Sequence, residues 1–422
     1  MTHANGSKQR EAGKTRESLE DYDVERAIRV VQELGEGLIE ATKHAKHHFR
    51  REWLDQLVAR YRERPGKPIV HLSDLPDQVI PTLSADVRKL LRPYWEKLVS
   101  GHGSEWGSQH FRCMWDIMRS GRASRWSSLR LWRKFSAMTG LRIDDLEQYV
   151  VAIRAANTGT SRVNSRPKLP FNLATPEGAR LFGYRGDVAY DTSAFNNKDL
   201  DLHKDYRTAI LKIIGNVPFT TSRFHDGPVY RTNVDILVTM VTSVGGLDNT
   251  QKQKFASNPL PSWLFLAEDN VLTSCQRALW DAEGSPTRDA LKLGQSVHVS
   301  ALTETPIAGC RKTRISAFSA EARELISTWP PLLLVSSSLM LRLLGIVSYL
   351  APLGVEQTSQ GKSAVWMLYI YRTKGMRLFE QKVGFLSSEK RQRLHRMNSL
   401  HKPKSSPPSF FSKVLITAFP IK

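Results

Sequence analysis

The chain has 422 residues, 41% of them hydrophobic, which is enough for two or three domains with a sizeable core and too apolar for a mainly disordered protein. Lysine and arginine number 61 against 41 aspartate and glutamate, a formal charge of +20 with a pI near 9.9, which favours a polyanion such as nucleic acid over an acidic small molecule as partner. Cys113, Cys275 and Cys310 are too widely spaced for a zinc knuckle and too few for a disulfide framework, and the polar N-terminus lacks the apolar run of a secretory signal, so a reducing, cytoplasmic setting is expected.

Residues 1–20 read as a flexible polar arm. From Asp21 to Tyr61 apolar residues recur at helical spacing, with Ile28, Val31, Leu34 and Leu38 on one face and Phe49, Trp53, Leu57 and Tyr61 on another. The basic run from Lys43 to Arg51 sets His44 and His48 one helical turn apart, a spacing that can chelate zinc, but with no third ligand nearby a solvated basic face fits better. After a proline-broken loop, Arg64 to Pro68, helical spacing resumes near Ser84 and runs to Leu98, and arginines interleave with tryptophans between Trp106 and Trp132. Leu129 to Met138 and Ile143 to Ile153 read as two short helices across Thr139-Gly140-Leu141, with Asp144 able to help cap the second. That is the outline of a helix-turn-helix, although a plain packing hairpin shares it. The expectation is an all-α N-terminal domain over residues 21–156 and a polar linker over 157–173.

Beyond the linker, helices alternate with strands. Pro176 opens a helix, Glu177 to Tyr184, that closes with Gly186-Asp187. A strand-like segment to Phe195 follows, then Asn196-Asn197-Lys198-Asp199 and a helix striped by Leu202, Tyr206, Ile210 and Ile213. Asn216 to Arg223 and Pro228 to Val234 read as a hairpin, and a helix ends at Gly245-Gly246. From Leu272 to Ser285 a further helix carries Leu272, Cys275 and Leu279 on its apolar side, keeps one face small with Ala278 and Ala282, and ends in Asp281, Glu283 and Gly284. Gly284 suits a left-handed stop. Carboxylates there face the negative end of the helix dipole and call for a cation, for which a hard divalent metal is the natural candidate; chance acids on a solvated helix end are the plain alternative.

After Glu283 the order recurs. Strands are expected near Gln295 to Leu302 and Lys312 to Ser319, helices from Glu321 to Leu344, strands at Ile346 to Val355 and Ala364 to Arg372, and a helix from Gly375 to Val383. Asp187 precedes Glu283 by 96 residues, so an internal duplication is expected. The apolar run from Pro330 to Leu353 contains paired prolines, Ser336 to Ser338 and Arg342, and reads as a buried helix followed by a strand and not as a membrane span. In the last strand Val365, Met367, Tyr369 and Tyr371 alternate with Trp366, Leu368, Ile370 and Arg372, so one set faces outward as a candidate groove reader.

Gln276 to Ser285 resembles the signature of the LAGLIDADG homing endonucleases, of the archaeal and intein-associated kind. Supporting matches are Asn196 to Asp199, Leu260-Pro261-Ser262-Trp263-Leu264, Leu341 to Ile346, and Val383-Gly384-Phe385 with Glu389-Lys390-Arg391, together spanning about residues 170–394. The resemblance implies an α+β fold in which two pseudo-symmetric αββαββα repeats, about 174–271 and 272–394, form an endonuclease-like domain over 174–400 with saddle-shaped antiparallel sheets, leaving residues 401–422 as a tail. It implies double-stranded DNA as partner, a DNA-associated monomer with internal pseudo-two-fold symmetry, association with an intron or intein, and Mg²⁺ or Mn²⁺ as cofactor.

In that family each motif helix ends in a metal-binding acid. Carried over, Glu283 is the second catalytic and metal-binding position, with Asp281 as a further catalytic candidate two residues before it. Asp187 is the candidate for the first, although an ungapped match of Leu181 to Val188 puts Val188 at the acid's place and requires one deleted residue to restore Asp187. Lys252, Lys254, Arg372 and Lys390 are candidate DNA contacts. A catalytically degenerate DNA-binding or regulatory protein, or an RNA-binding splicing helper, on the same scaffold competes with a site-specific endonuclease.

Overall fold

The computed structural model describes residues 22–400 except 45–47, 102–107, 121–126, 156–162, 189–193, 224–227, 248–257, 308–311, 360 and 372. Helix α1 (Val24–Thr42) starts at Asp23, whose carboxylate accepts from the Glu25 amide, and α2 (Arg51–Glu63) packs against it through the apolar faces expected. His44 and His48 lie beyond the end of α1 and are both exposed, and the residues between them, 45–47, lie outside the described residues. Strands β1 (Ile69–Val70) and β2 (Ile80–Leu83) and helices α3 (Val87–Gly101), α4 (Ser108–Ser120) and α5 (Leu129–Thr139) follow.

The helix-turn-helix is corrected. Past Gly140, at φ 83°, the chain makes 3-10 turns over Ile143–Tyr149 and then extends into β3 (Val150–Arg154). Val150, Val151 and Ile153 are β-branched, which stiffens χ1 and favours the extended backbone. Asp144 caps no helix there; it accepts from the amide and hydroxyl of Ser73 at 3.0 and 3.1 Å.

The all-α domain and the linker are corrected as well. β1, β2 and β3 fall within residues 21–156, and the expected linker holds β4 (Val163–Pro167) and β5 (Phe171–Asn172). β5 pairs with β1, while β2, β3 and β4 join β7 (Gly215–Asn216) in a four-stranded antiparallel sheet. One sheet therefore draws strands from all three expected segments.

The second part of the chain runs through α6 (Pro176–Gly183), β6 (Phe195–Asn197), α7 (Leu200–Ile213), the hairpin β8 (Thr220–Arg223) and β9 (Tyr230–Asn233), and α8 (Ile236–Val244). It continues with α9 (Asp269–Glu283), β10 (Gly284–Pro286), β11 (Ala290–His298), β12 (Thr313–Arg314), α10 (Ala320–Thr328), α11 (Leu332–Leu343), β13 (Tyr349–Thr358), β14 (Gly361–Tyr371), α12 (Thr373–Lys382) and α13 (Ser388–Leu400). The sheets are antiparallel, three strands in the order β6-β9-β8 and five in the order β10-β11-β14-β13-β12. β11 begins earlier than expected, and Lys312 to Ser319 yields only a two-residue strand before a 3-10 turn.

Every residue of α11 from Leu332 to Leu341 is buried, so this helix needs cover on all sides. β13 and β14 supply one side and α1 and α2 another. Trp53 of α2 stands edge-on to Trp366 of β14 with ring centroids 5.5 Å apart. Its indole N–H and the Gln56 amide also donate to the last carbonyls of α10, Ser327 at 2.8 Å and Thr328 at 3.0 Å. The N-terminal helices thus share one continuous core with the second part of the chain. Among the described residues no single helix is long and apolar enough to cross a membrane.

Candidate active site

Thr175 caps α6 by accepting from the Gly178 amide at 3.1 Å, and Pro176 takes the first helical position, where its missing N–H costs nothing. α6 abuts α9 at Gly183: an added Cβ there would lie 2.3 Å from the Cys275 carbonyl and 2.6 Å from Ala278 Cβ. Only glycine facing alanine permits this approach, which is what the small face of α9 promised. The crossing also sets a register. Gly183 meets the Cys275–Leu279 turn; Asp187 stands four residues beyond Gly183 and Glu283 four beyond Leu279. Both acids thus follow the crossing closely along their own segments.

Gly284 does not make a left-handed stop. It is extended (φ −82°, ψ 153°) and opens β10; glycine is needed because a Cβ would lie 2.5 Å from the Trp280 carbonyl.

Asp187 ends the 3-10 turn after α6 and is half-buried. Asn197 Nδ2 donates to its Oδ2 at 2.6 Å. The Asn197 carbonyl in turn accepts from His203 Nε2 at 2.9 Å, which leaves His203 Nδ1 to accept from the Thr232 hydroxyl at 2.7 Å. Burial pushes the His203 pKa down and keeps the ring neutral, as this pattern requires. Asp187 is thereby tied through one amide and one imidazole to the sheet β6-β9-β8.

At the end of α9 the expected counter-cation is a side chain. Lys390, from the first turn of α13, donates to the carbonyls of Trp280, at 3.3 Å, and Asp281, closer still, and so meets the negative helix end. Burial pushes its ammonium pKa down, the carboxylates of Asp281, Asp187 and Glu283 draw it back up, and Lys198 pushes it down again. All three acids singled out in the sequence therefore gather about one lysine.

They are not equivalent. Asp281 is 1% exposed, with Oδ2 accepting from the Leu386 amide at 2.8 Å and Oδ1 from the Ser387 amide at 3.0 Å. Burial pushes its carboxyl up to about 6 against the pull of those two amides, Lys390 and Arg277. Both oxygens serve to hold the start of α13, and with it Lys390, against α9. Glu283, like Asp187, is half-buried. Two half-buried carboxylates from separate helix ends therefore both act on the Lys390 ammonium.

A second group, His71, Asp144 and Glu147, brings ligand atoms within 4.8 Å of one another. Its carboxylates are committed to the 3-10 turn Leu72–Asp74: Glu147 accepts from the Leu72 amide at 2.7 Å and Asp144 from Ser73. Capping explains this cluster. Lys252, Lys254 and Arg372 lie outside the described residues. Asn197, Lys198 and His203 were given no role in the sequence; the only signal was the polar Asn196–Asp199 run ahead of a helix.

No family model and no curated protein matches the chain. Among solved structures, mesophilic variants of the homing endonuclease I-DmoI are similar over 53% of this chain and 99% of theirs, at 13% identity and a TM-score of 0.30. I-DmoI in complex with DNA and Mn is similar over 50% of this chain and 98% of its own, at 14% identity and a TM-score of 0.27. The complex with DNA and Ca gives 53% and 99%, at 12% identity and 0.30. Likeness at this level assigns no activity to the chain.

Proposed function

We propose that the chain is a metal-dependent endonuclease acting on duplex DNA, of the LAGLIDADG homing type, with Asp187 and Glu283 as its catalytic acids. The supporting observation is that the two helices abut where Gly183 meets the Cys275–Leu279 turn, Asp187 follows Gly183 by four residues and Glu283 follows Leu279 by four, and both acids reach the field of Lys390. The order of elements after each acid, strand pairing, helix, hairpin and helix, supports two pseudo-symmetric halves within a monomer.

Glu283 and Asp187 would hold Mg²⁺ or Mn²⁺, which when bound offers charge to the attacking water and to the leaving oxygen of a phosphodiester. The chain's own residues do the rest. Asn197 fixes the rotamer of Asp187, Asp281 fixes the backbone that carries Lys390, and Lys390 offsets part of the acids' mutual repulsion. The excess of basic residues supplies the attraction for the DNA backbone.

The same lysine favours a second reading. An ammonium that already balances the acids lets the scaffold stand without metal, as a DNA-binding protein that has lost the chemistry would require. A supercoiled plasmid library incubated with Mg²⁺ or Mn²⁺ separates the two. The endonuclease reading expects cutting by the wild type, none by Glu283→Gln or Asp187→Asn, and nearly equal DNA affinity for all three. Tight binding without cutting by the wild type leaves the binding protein, and cutting by Glu283→Gln shows that other residues carry the reaction.

A further inference from the structure

Asp187 rides on a short turn whose anchors lie on both sides of it. α6 ends at Gly183, and the 3-10 turn Tyr184–Asp187 begins with a tyrosine that is 1% exposed. The Tyr184 ring stands edge-on to Phe195 of β6, with centroids 5.3 Å apart, and to Tyr206 of α7, at 5.9 Å, while Phe195 and Tyr206 stack on each other at 4.9 Å. Directly after Asp187, Val188 makes an antiparallel bridge to the same Phe195. The main chain is therefore gripped three residues before the acid and one residue after it.

One polar group closes the first grip. The Tyr184 hydroxyl donates to Asp205 Oδ2 at 2.8 Å, and Arg180, one turn earlier on α6, donates to Asp205 Oδ1 at 2.7 Å. Burial and the Asp205 carboxylate push the Tyr184 phenol pKa up, so the hydroxyl keeps its proton and remains a donor. Asp205 sits on α7 two residues after His203, whose Nε2 donates to the Asn197 carbonyl while the Asn197 amide holds the Asp187 carboxylate. α7 thus reaches the main chain of the turn through Asp205 and its acid through His203. The Arg180–Asp205 pair is sheltered, with side chains 22% and 16% exposed. Such a pair gains little stability over apolar residues of the same size, so stability alone is a weak reason for it.

We propose that Asp205 and Tyr184 are positioning residues for Asp187: the carboxylate on α7 fixes the phenol at the head of the turn, and so sets where the acid three residues later stands relative to Glu283. This rests on the reading of Asp187 and Glu283 as metal-holding acids, and adds to it a pair that acts only through the backbone. Groups that orient a metal's ligands without touching the metal typically cost about 10- to 100-fold in affinity when they are removed. Taking the hydroxyl from Tyr184 removes no charge from the site, so a loss there is a loss of position.

The test uses the full chain without DNA. Mn²⁺ binding, followed by the loss of the free ion's EPR signal and counted as the binding that Glu283→Gln abolishes, is compared among wild type, Tyr184→Phe and Tyr61→Phe. Tyr61 is the control: it is equally buried, and its hydroxyl donates to the Leu260 carbonyl at 2.8 Å, a bond that involves none of the acids. Both variants should lower Tm by a similar few degrees. Only Tyr184→Phe should weaken Mn²⁺ binding, by about 10- to 100-fold, and only there should the amides of residues 184–188 exchange faster. Asp205→Asn, which leaves one oxygen for two donors, should weaken Mn²⁺ binding at least as far. Unchanged exchange over 184–188 in Tyr184→Phe overturns the proposal. So does faster exchange with wild-type Mn²⁺ affinity, or an equal loss of affinity in Tyr61→Phe. A wild type without Mn²⁺ binding that Glu283→Gln abolishes removes the metal reading instead, and exchange over 184–188 then decides by itself whether Asp205 and Tyr184 hold the turn.

Discussion

Asp281→Asn should remove a pH dependence that the wild-type fold carries. In the native protein burial holds the Asp281 carboxyl at about 6, against 3.8 for an exposed aspartate. The native state therefore binds this proton more tightly than the unfolded chain does. The stability so gained is complete below pH 3.8 and is lost as pH rises through about 6, the reverse of an ordinary ion-paired aspartate. Between pH 4.5 and 7.5 the wild type should lose about 2 kcal/mol through this one group, from a full linkage of about 3 kcal/mol. Asparagine keeps the shape and one acceptor but cannot titrate, and its amide nitrogen faces a backbone N–H at a cost of about 1–3 kcal/mol. The variant should thus be clearly less stable than wild type at pH 4.5 and close to it at pH 7.5. Urea unfolding of both proteins at the two pH values measures the difference, in which the other titrating groups, Glu147 among them, cancel. An unchanged difference between the proteins at pH 4.5 and 7.5 would refute the placing of Asp281 as a buried, main-chain-holding acid.

Three further outcomes are expected. Gly183→Ala drives a methyl into the Cys275 carbonyl; it should destabilise the fold by about 1–3 kcal/mol or more and separate the acids, so urea unfolding shows a loss and plasmid cutting falls with it. Trp53→Ala should cost about 3–5 kcal/mol and speed amide exchange in residues 320–328, whose last carbonyls Trp53 and Gln56 hold; exchange confined to residues 22–63 would point to a separate N-terminal module instead. Lys390→Met leaves three carboxylates without their shared ammonium, so thermal stability at pH 7.5 should drop and millimolar Mg²⁺ should restore more of it than in wild type. The double variant Lys390→Met with Glu283→Gln should respond to Mg²⁺ less.

How far the fold could be read from the chain depended on whether a segment's partner lay close in sequence. The faces of α1 and α2, the stripe of α7 and the alternation in β14 are set by local periodicity, and each stands where periodicity placed it. The all-α N-terminal domain failed because β1, β2 and β3 are short strands, and their partners β4, β5 and β7 lie in the supposed linker and beyond it. Nothing near Ile80 announces Arg154. The linker is polar, and its polarity was mistaken for absence of structure, although β4 pairs with β3 and β7 and buries Asn164.

At the candidate site the residues were legible and their division of labour was not. Acid at the end of α9 was read as a demand for a cation, and that demand is physical, but the cation is Lys390, supplied more than a hundred residues away. Asp281 and Glu283 looked alike as neighbours on one helix end; the amides of Leu386 and Ser387 take one for the scaffold and leave the other half-buried beside Lys390. An ungapped count from Leu181 puts Val188 at the acid's place and Asp187 one residue early. In space the helices come close at Gly183, against Cys275, Ala278 and Leu279, with Asp187 four residues past Gly183 and Glu283 four past Leu279.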